Sequence, residues 1–397
     1  MSPSTRPPLN PELIAVHNTI PFLDIDTPEK LSAYRTAIAP MFTLENALQG
    51  KSSTISTSEF PIPTPAGPMT ATVFRPRTPT RPVSETPGIL HIHGGGLATG
   101  NRFLGFTMLN WVEELGAVIL TAEYRLAPEH PAPAALEDSY AALRYMAAHA
   151  AELGFNPEKL VVAGGSAGGN LAAGVALLAR DRGLSPGLAG QVLMYPWVDD
   201  GMASRSIEQY GDIAPVAKEN LATVNDYAFG KDREFADMYT APMRAESLGG
   251  LPPTLIDVGE ADVFRDQDVE YARRLWGDGV ATELHVWPGA YHGFDVFVPE
   301  AGISCGGAEG GGGCGDVEVG CVAGEDVEVV PVVVSKGTLH GVGRVSYIVE
   351  GSKPTVWLGQ CLAGDYTVIV SDSSALTEGK ALEGCFSVGE TYRWPNL

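Results

Sequence analysis

One hydroxyl, that of Ser166, stands in VVAGGSAGGNLAA among four glycines, Gly164, Gly165, Gly168 and Gly169. A serine is a weak nucleophile unless a base takes its proton and donors receive the charge it creates. Gly164-Gly165-Ser166-Ala167-Gly168 fits G-x-S-x-G, the strand-to-helix elbow that strains the serine backbone and exposes Oγ above a sheet edge. Such an elbow also aims the first amides of the helix at the atom being attacked. The same five residues fit an inert glycine-rich turn, so the rest of the chain must supply a base, an orienting acid and further oxyanion donors.

Eight histidines compete for the base, and position decides among them. His91 lies in a strand pattern, His130 in a proline-rich turn, His149 on a helix, His17 near the N-terminus and His285 in the last strand. All read as packing or surface residues. His292, in PGAYHGFD, follows the last strand on a loop at the sheet edge that carries the elbow, where an imidazole can reach Oγ as general base and then general acid. The acid that orients it belongs at the end of the preceding strand, and Asp262 in VGEADVFRDQ meets that requirement. Asp257 is inside the strand. Asp266 and Asp268 read as first-turn helix carboxylates that favour the macrodipole. Serine, aspartate and histidine then follow in α/β-hydrolase order. HIHGGGLATGN adds Gly94, Gly95 and Gly96, whose amides can approach a developing negative charge without side-chain obstruction; such a donor is worth roughly 3 kcal/mol in the transition state.

These groups converge only if the intervening elements bring them to one edge. Residues 10 to 48 read as helical segments broken by Pro21 and Pro40, and SSTISTSEFPIP and MTATVFRP as strands around the turn Pro65-Ala66-Gly67-Pro68. Strands GILHIHGG, AVILTAEYR, LVVAGGS, GQVLMYPWV, PTLIDVGE and TELHVWPG then alternate with helices, among them GFTMLNWVEELG, ALEDSYAALRYMAAHAAELG and NLAAGVALLARDRG. The fold class expected is α/β, a mostly parallel sheet covered by helices on both faces, with sites at the carboxyl ends of the strands. Residues 199 to 245 are too long for a simple connection and contain the helical SIEQY and AKENLATVNDYAFG. They read as a lid that, with residues 1 to 50, roofs the edge where Ser166 is exposed. Phe42 and Tyr210 are candidates for lining the pocket beneath it.

With 397 residues and a formal charge of −22, the chain can bury a full core but offers no clustered Lys and Arg for nucleic acid or an anionic membrane. The N-terminus lacks a signal-peptide apolar region and no apolar run reaches a membrane span, so a cytoplasmic protein is expected. No metal or organic cofactor is expected. The partner expected is a small-molecule ester, and a homo-oligomer is compatible with the sequence. Cys305, Cys314, Cys321, Cys361 and Cys385 match no zinc spacing and read as stray thiols.

His93-Gly94-Gly95-Gly96, Tyr124-Arg125-Leu126-Ala127-Pro128-Glu129, Gly164-Gly165-Ser166-Ala167-Gly168-Gly169 and the Asp262 and His292 loops together resemble the hormone-sensitive lipase family of carboxylesterases, over residues 10 to 300. The resemblance implies Ser166 as nucleophile, His292 as base, Asp262 as orienter, and the amides of Gly95, Gly96 and Ala167 as the oxyanion hole. It implies a two-part lid, and a supporting role for Tyr124 to Glu129 beneath the oxyanion loop. Gly165 departs from the pattern, where an aspartate or other side chain commonly precedes the serine, and so does Leu97, where an aromatic often follows the glycines.

After FDVFVPEAGI the resemblance implies one closing amphipathic helix. The chain instead runs into SCGGAEGGGGCGDVEVG, whose glycines oppose a helix. The hydrolase domain is therefore placed at 1 to 302 and an atypical Gly- and Cys-containing tail at 303 to 397. SYIVEG, PTVWLGQ and YTVIVSD are candidate strands there. Of two readings, an appended, loosely folded β or disordered segment or a piece foreign to the ancestral enzyme, the second is preferred. The function expected is hydrolysis of small to medium acyl esters through an acyl-enzyme. A ligand-binding protein on a hydrolase scaffold, and an amide deacetylase or lactonase using the same triad, are the alternatives. A chain ended near Glu300 should hydrolyse esters no less well than the full chain; loss of folding on truncation would show that the tail belongs to the core.

Overall fold

The computed structural model describes residues 5–20, 23 and 25–304 and, beyond them, the backbone of short strands. The chain divides into two compact units, Met1–Pro299 and Glu300–Leu397. In the first, eight strands form one sheet: β1 (Ile55–Thr64), β2 (Gly67–Pro76), β3 (Gly88–Ile92), β4 (Val118–Ala122), β5 (Leu160–Gly165), β6 (Gly190–Met194), β7 (Thr254–Gly259) and β8 (Thr282–Trp287), in the order β1-β2-β4-β3-β5-β6-β7-β8. From β4 to β8 all neighbours are parallel, while β2 is antiparallel to both β1 and β4. The β1–β2 hairpin turns on Pro65 and Ala66, with Thr64 paired to Gly67.

Why the inner strands read as unbroken apolar runs is plain from their packing. Leu90, Leu120, Val162, Leu193 and Ile256 face one core, and Ile89, Ile119, Ala163 and Val192 face another across the sheet. Helices α5 (Ala134–Ala148) and α7 (Ala167–Asp181) fill the first core with Leu136, Leu143, Leu171 and Val175, and α10 (Arg265–Gly277) adds Tyr271 and Leu275. The second core is closed by α3 (Leu44–Leu48) and α4 (Leu109–Glu114) through Ala47, Leu109 and Val112. The helix expected to run unbroken over 135–154 ends at His149, whose ring stacks on Tyr145 at 4.0 Å, and restarts as α6 (Ala150–Leu153). Thr27 caps α2 (Pro28–Ile38) by accepting from the Lys30 amide, with Pro28 in its first turn.

The lid expected at 199–245 contains α8 (Arg205–Tyr210) and α9 (Lys218–Phe229). It is tied to the N-terminal segment, which carries α1 (Pro11–His17) and α2. The Tyr210 hydroxyl donates to the Pro7 carbonyl (3.1 Å), Tyr227 to Ile25 (2.9 Å) and the Asn220 amide to Leu23. After β8 the first unit adds only the four-residue α11 (Phe294–Phe297). In the second unit, strands Thr355–Gln360 and Tyr366–Ser371 pair antiparallel and coincide with PTVWLGQ and YTVIVSD. SYIVEG, and the side chains on which the cysteine reading depends, lie outside the described residues. Among the described residues no helix is long and apolar enough to cross a membrane.

Two backbones meet too closely at the elbow for any side chain. A Cβ on Gly168 would lie 2.0 Å from the Ile92 carbonyl oxygen, and one on Gly164 would lie 2.3 Å from the Gly168 oxygen. The glycines there let α7 start against the ends of β3 and β5. Gly168→Ala should therefore destabilise the first unit by roughly 2–4 kcal/mol, read as a lowered denaturant midpoint, because backbone and not a flexible side chain must move. An unchanged midpoint would contradict this packing.

Candidate active site

Ser166 sits between β5 and α7 with φ 58° and ψ −122°, a conformation that costs an L-residue of order 1–3 kcal/mol. Bonds on both sides hold it: its amide donates to Met194 O (2.9 Å), and its carbonyl accepts from Trp197 (3.0 Å) and Asn170 (3.1 Å). The fixed backbone points Oγ at His292, whose Nε2 lies 2.9 Å away. The other ring nitrogen, Nδ1, is 2.8 Å from Asp262 Oδ2. Asp262 is fully buried, and its second oxygen accepts from the Phe264 amide at 2.9 Å. With Nδ1–H committed to the carboxylate, Nε2 is the lone-pair side facing the hydroxyl. The His292 ring is held edge-to-face by Tyr195 (4.9 Å) and Phe264 (5.2 Å).

The loop after β3 brings the second set of donors. Gly95 has φ +102°, and a Cβ there would lie 2.2 Å from Thr99 O; the Thr99 amide and hydroxyl, and the Ala98 amide, all donate to the Gly95 carbonyl. This tight turn leaves the amides of Gly95 and Gly96 free. Among the described residues neither these nor the Ala167 amide, in the first turn of α7, donates to a protein acceptor. Gly94 lies against the elbow, with Ser166 Cβ 3.4 Å from where its own Cβ would be. Three amides without a protein acceptor among the described residues thus flank the Ser166 hydroxyl, an arrangement able to receive a negatively charged oxygen.

A family model described as alpha/beta hydrolase fold matches residues 89–296. The chain belongs to the α/β-hydrolase fold family. It is 33% identical to "Esterase LipI" of Mycobacterium tuberculosis over 73% of this chain and 88% of that protein. It is 38% identical to "Carboxylesterase NlhH" of the same species over 55% of this chain and 71% of that one. Among solved structures, "Bacterial Heroin Esterase" superposes with TM-score 0.67 at 35% identity, covering 75% and 93% of the two chains. These relatives agree with the resemblance to hormone-sensitive-lipase-type carboxylesterases.

Around the glycine loop after β3 of this α/β-hydrolase the motif residues interlock. Tyr124 donates to His93 O (2.9 Å) and stacks on the His93 ring at 4.0 Å. Burial holds His93 down to about 3, so the ring stays neutral with Nδ1–H on Gly94 O at 2.9 Å. Burial likewise holds His91 at about 4, packed edge-on against Phe106. Glu129 reaches the loop through a residue the sequence reading missed. Arg35 of α2 pairs with both Glu129 oxygens (2.7 and 2.9 Å) and donates to Ala98 O and Ala127 O (2.7 Å each). Helix α2 is thereby bonded to the loop that carries Gly95 and Gly96. Tyr210 lines a pocket with Pro7, Pro8, Leu9, Ile14 and Ile213. Tyr210 joins the two lid parts, and Phe42 packs on the second core with its carbonyl accepting from Asn101.

Asp268 also departs from expectation. Asp266 bonds the Ser206 amide at the start of α10, as a first-turn carboxylate can. Asp268 is fully buried with neither oxygen bonded, and burial together with the nearby Asp262 and Asp257 carboxylates pushes it well above the usual range. The folded chain therefore keeps a proton that an unfolded-state aspartate loses near pH ~4, so this group's contribution to stability falls as pH rises above that value. Asp268→Asn removes the dependence. Its melting temperature relative to the parent should rise between about pH 5 and about pH 8, and a pH-independent difference would contradict the assignment.

Proposed function

We propose that the protein is a serine carboxylesterase that cleaves small to medium acyl esters through an acyl-enzyme. The observation that carries this reading is the continuous chain from Asp262 through His292 to Ser166 Oγ, with bonds of 2.8 and 2.9 Å, beside three unpaired amides. Esterase names among relatives that are 33–38% identical support the reaction class.

In this reading Ser166 Oγ attacks the ester carbonyl while its proton passes to His292 Nε2. The carbonyl oxygen gains negative charge and is held by the amides of Gly95, Gly96 and Ala167. Collapse of the tetrahedral intermediate breaks the C–O bond to the alcohol, which leaves with the proton from His292⁺. Asp262 accepts the Nδ1–H bond and keeps the ring oriented. Water, deprotonated by His292, repeats attack on the acyl-enzyme and frees the acid and Ser166. Every group required is supplied by the chain's own residues.

A chromogenic ester series from acetate to dodecanoate tests the reading. Turnover should peak among the shorter acyl groups and fall by roughly 10⁴-fold or more in Ser166→Ala. A folded parent chain without turnover would favour the ligand-binding alternative. Arg35→Ala should lower kcat about tenfold with little change in KM, because it frees the oxyanion loop without touching the triad. An equal loss carried by KM alone would place Arg35 in substrate binding instead.

A further inference from the structure

A second carboxylate stands beside the base, outside the triad. Asp295 lies three residues past His292 in α11, and its Oδ1 accepts from the Tyr195 hydroxyl at 2.9 Å. Tyr195 directly follows β6 with φ +38°, a conformation rare for a bulky residue, and its amide donates to Asp257 O. Its ring rests edge-on against His292 at 69° and 4.9 Å. The same ring occupies the space beside the nucleophile: a Cβ on Gly165 would lie 3.2 Å from Tyr195 Cε2 and 3.4 Å from its hydroxyl. The residue preceding Ser166 is thus side-chain-free where Tyr195 leans in, and the Tyr195 hydroxyl carries the Asp295 carboxylate to this place.

We propose that Asp295 is a positioning residue for the general base: through Tyr195 it fixes one face of the His292 ring, and its negative charge balances the imidazolium formed during attack. The inference rests on the esterase reading above. No extra proton transfer is involved. The proton still moves from Ser166 Oγ to Nε2 as the O–C bond forms, and Asp295 only changes the energy of the charge so created. Burial holds the Asp295 carboxyl above the usual carboxylate range, and the Tyr195 hydrogen bond, the amides of Asp295 and Val296 and, least, the charge of His292 offset this only in part. That last interaction is reciprocal, so an ionised Asp295 stabilises the imidazolium in return.

The groups facing the ring leave few rivals for this part. Ser166 and Asp262 take its two nitrogens, Tyr195 and Phe264 its faces. Behind them lie Asp257 on β7, pushed up to about 7 by burial and the Asp295 charge, and Asp268 on α10. Among the described residues no Arg or Lys bonds to Asp262, Tyr195 or Asp295 to cancel these charges. Besides Asp262, three acidic side chains, Asp257, Asp268 and Asp295, lie around the base, with His285 of β8 acting on Asp257, and of those three only Asp295 is joined by a hydrogen bond to a ring that touches the base.

The test compares pH profiles of kcat/KM for the full-length parent, Asp295→Asn and Tyr195→Phe on a short-chain ester, with thermal melts to show that each is folded. Asp295→Asn keeps an acceptor for Tyr195 and removes only the charge. Its acid limb should move to lower pH by about half a pH unit or more, with kcat down several-fold and KM nearly unchanged. Tyr195→Phe keeps the carboxylate and frees the ring, so it should lower kcat without moving the limb downward. An Asp295→Asn profile that superimposes on the parent's would overturn the proposal. Should Asp295→Asn not fold, an unchanged kcat in Tyr195→Phe would overturn it equally. A folded parent with no turnover would refute the esterase reading and this inference with it, whereas an active parent with an unmoved limb refutes only the inference.

Discussion

The site depends on one strained residue. Ser166 occupies a backbone conformation that an L-residue resists, and the strain persists because three backbone bonds, from Met194, Trp197 and Asn170, hold it from both sides. Those partners come from the end of β6 and the first turns of α7, so the serine is fixed by the sheet and not by its own loop. The same constraint accounts for the glycines. The chain can turn at Ser166 only if α7 starts almost in contact with the end of β3, and Gly164 and Gly168 mark where that contact leaves no room for a Cβ.

From this point the rest of the chemistry is a matter of what neighbouring strands deliver to the same edge. β3 ends in the loop of Gly95 and Gly96, β7 ends just before Asp262, and β8 ends just before the His292 loop. A parallel sheet places all these strand ends side by side, which is why residues separated by 126 positions, Ser166 and His292, meet at hydrogen-bond distance. Two segments outside the sheet, the N-terminal one and residues 199–245, meet the same edge. Arg35 fastens α2 to the loop of Gly95 and Gly96, and a Cβ on Gly96 would lie 2.9 Å from Val224 of α9, so both segments touch that loop.

How much of this was legible in the sequence follows from the range of the interactions. The elbow, the glycine loop and the strand-end positions of Asp262 and His292 are written locally, in runs of β-branched residues ending in glycine, and periodicity alone places them on one edge. Arg35, Tyr195 and Asp295 carry no such local mark. Arg35 meets Glu129 across 94 positions and Tyr195 meets Asp295 across 100, so only the assembled sheet pairs them. Tyr195 did have a signal, since it stands directly after a parallel strand, where side chains reach the site. Asp268 was misread because its place in the first turn of α10 suggests a solvated charge, whereas the face of α10 on which it falls is turned into the core. His149 ended a helix that composition would have continued, with its ring stacking back on Tyr145.

The central claim is that Ser166 is made nucleophilic by His292, and covalent capture measures this without assuming a substrate. Full-length parent, Ser166→Ala and His292→Asn would each be treated with an aryl phosphonate ester and mapped by peptide mass spectrometry. The account predicts a single stoichiometric adduct on Ser166 of the parent, none on Ser166→Ala, and labelling slowed by roughly 10³-fold or more in His292→Asn. An adduct on another residue, or equal labelling rates in the parent and His292→Asn, would contradict it.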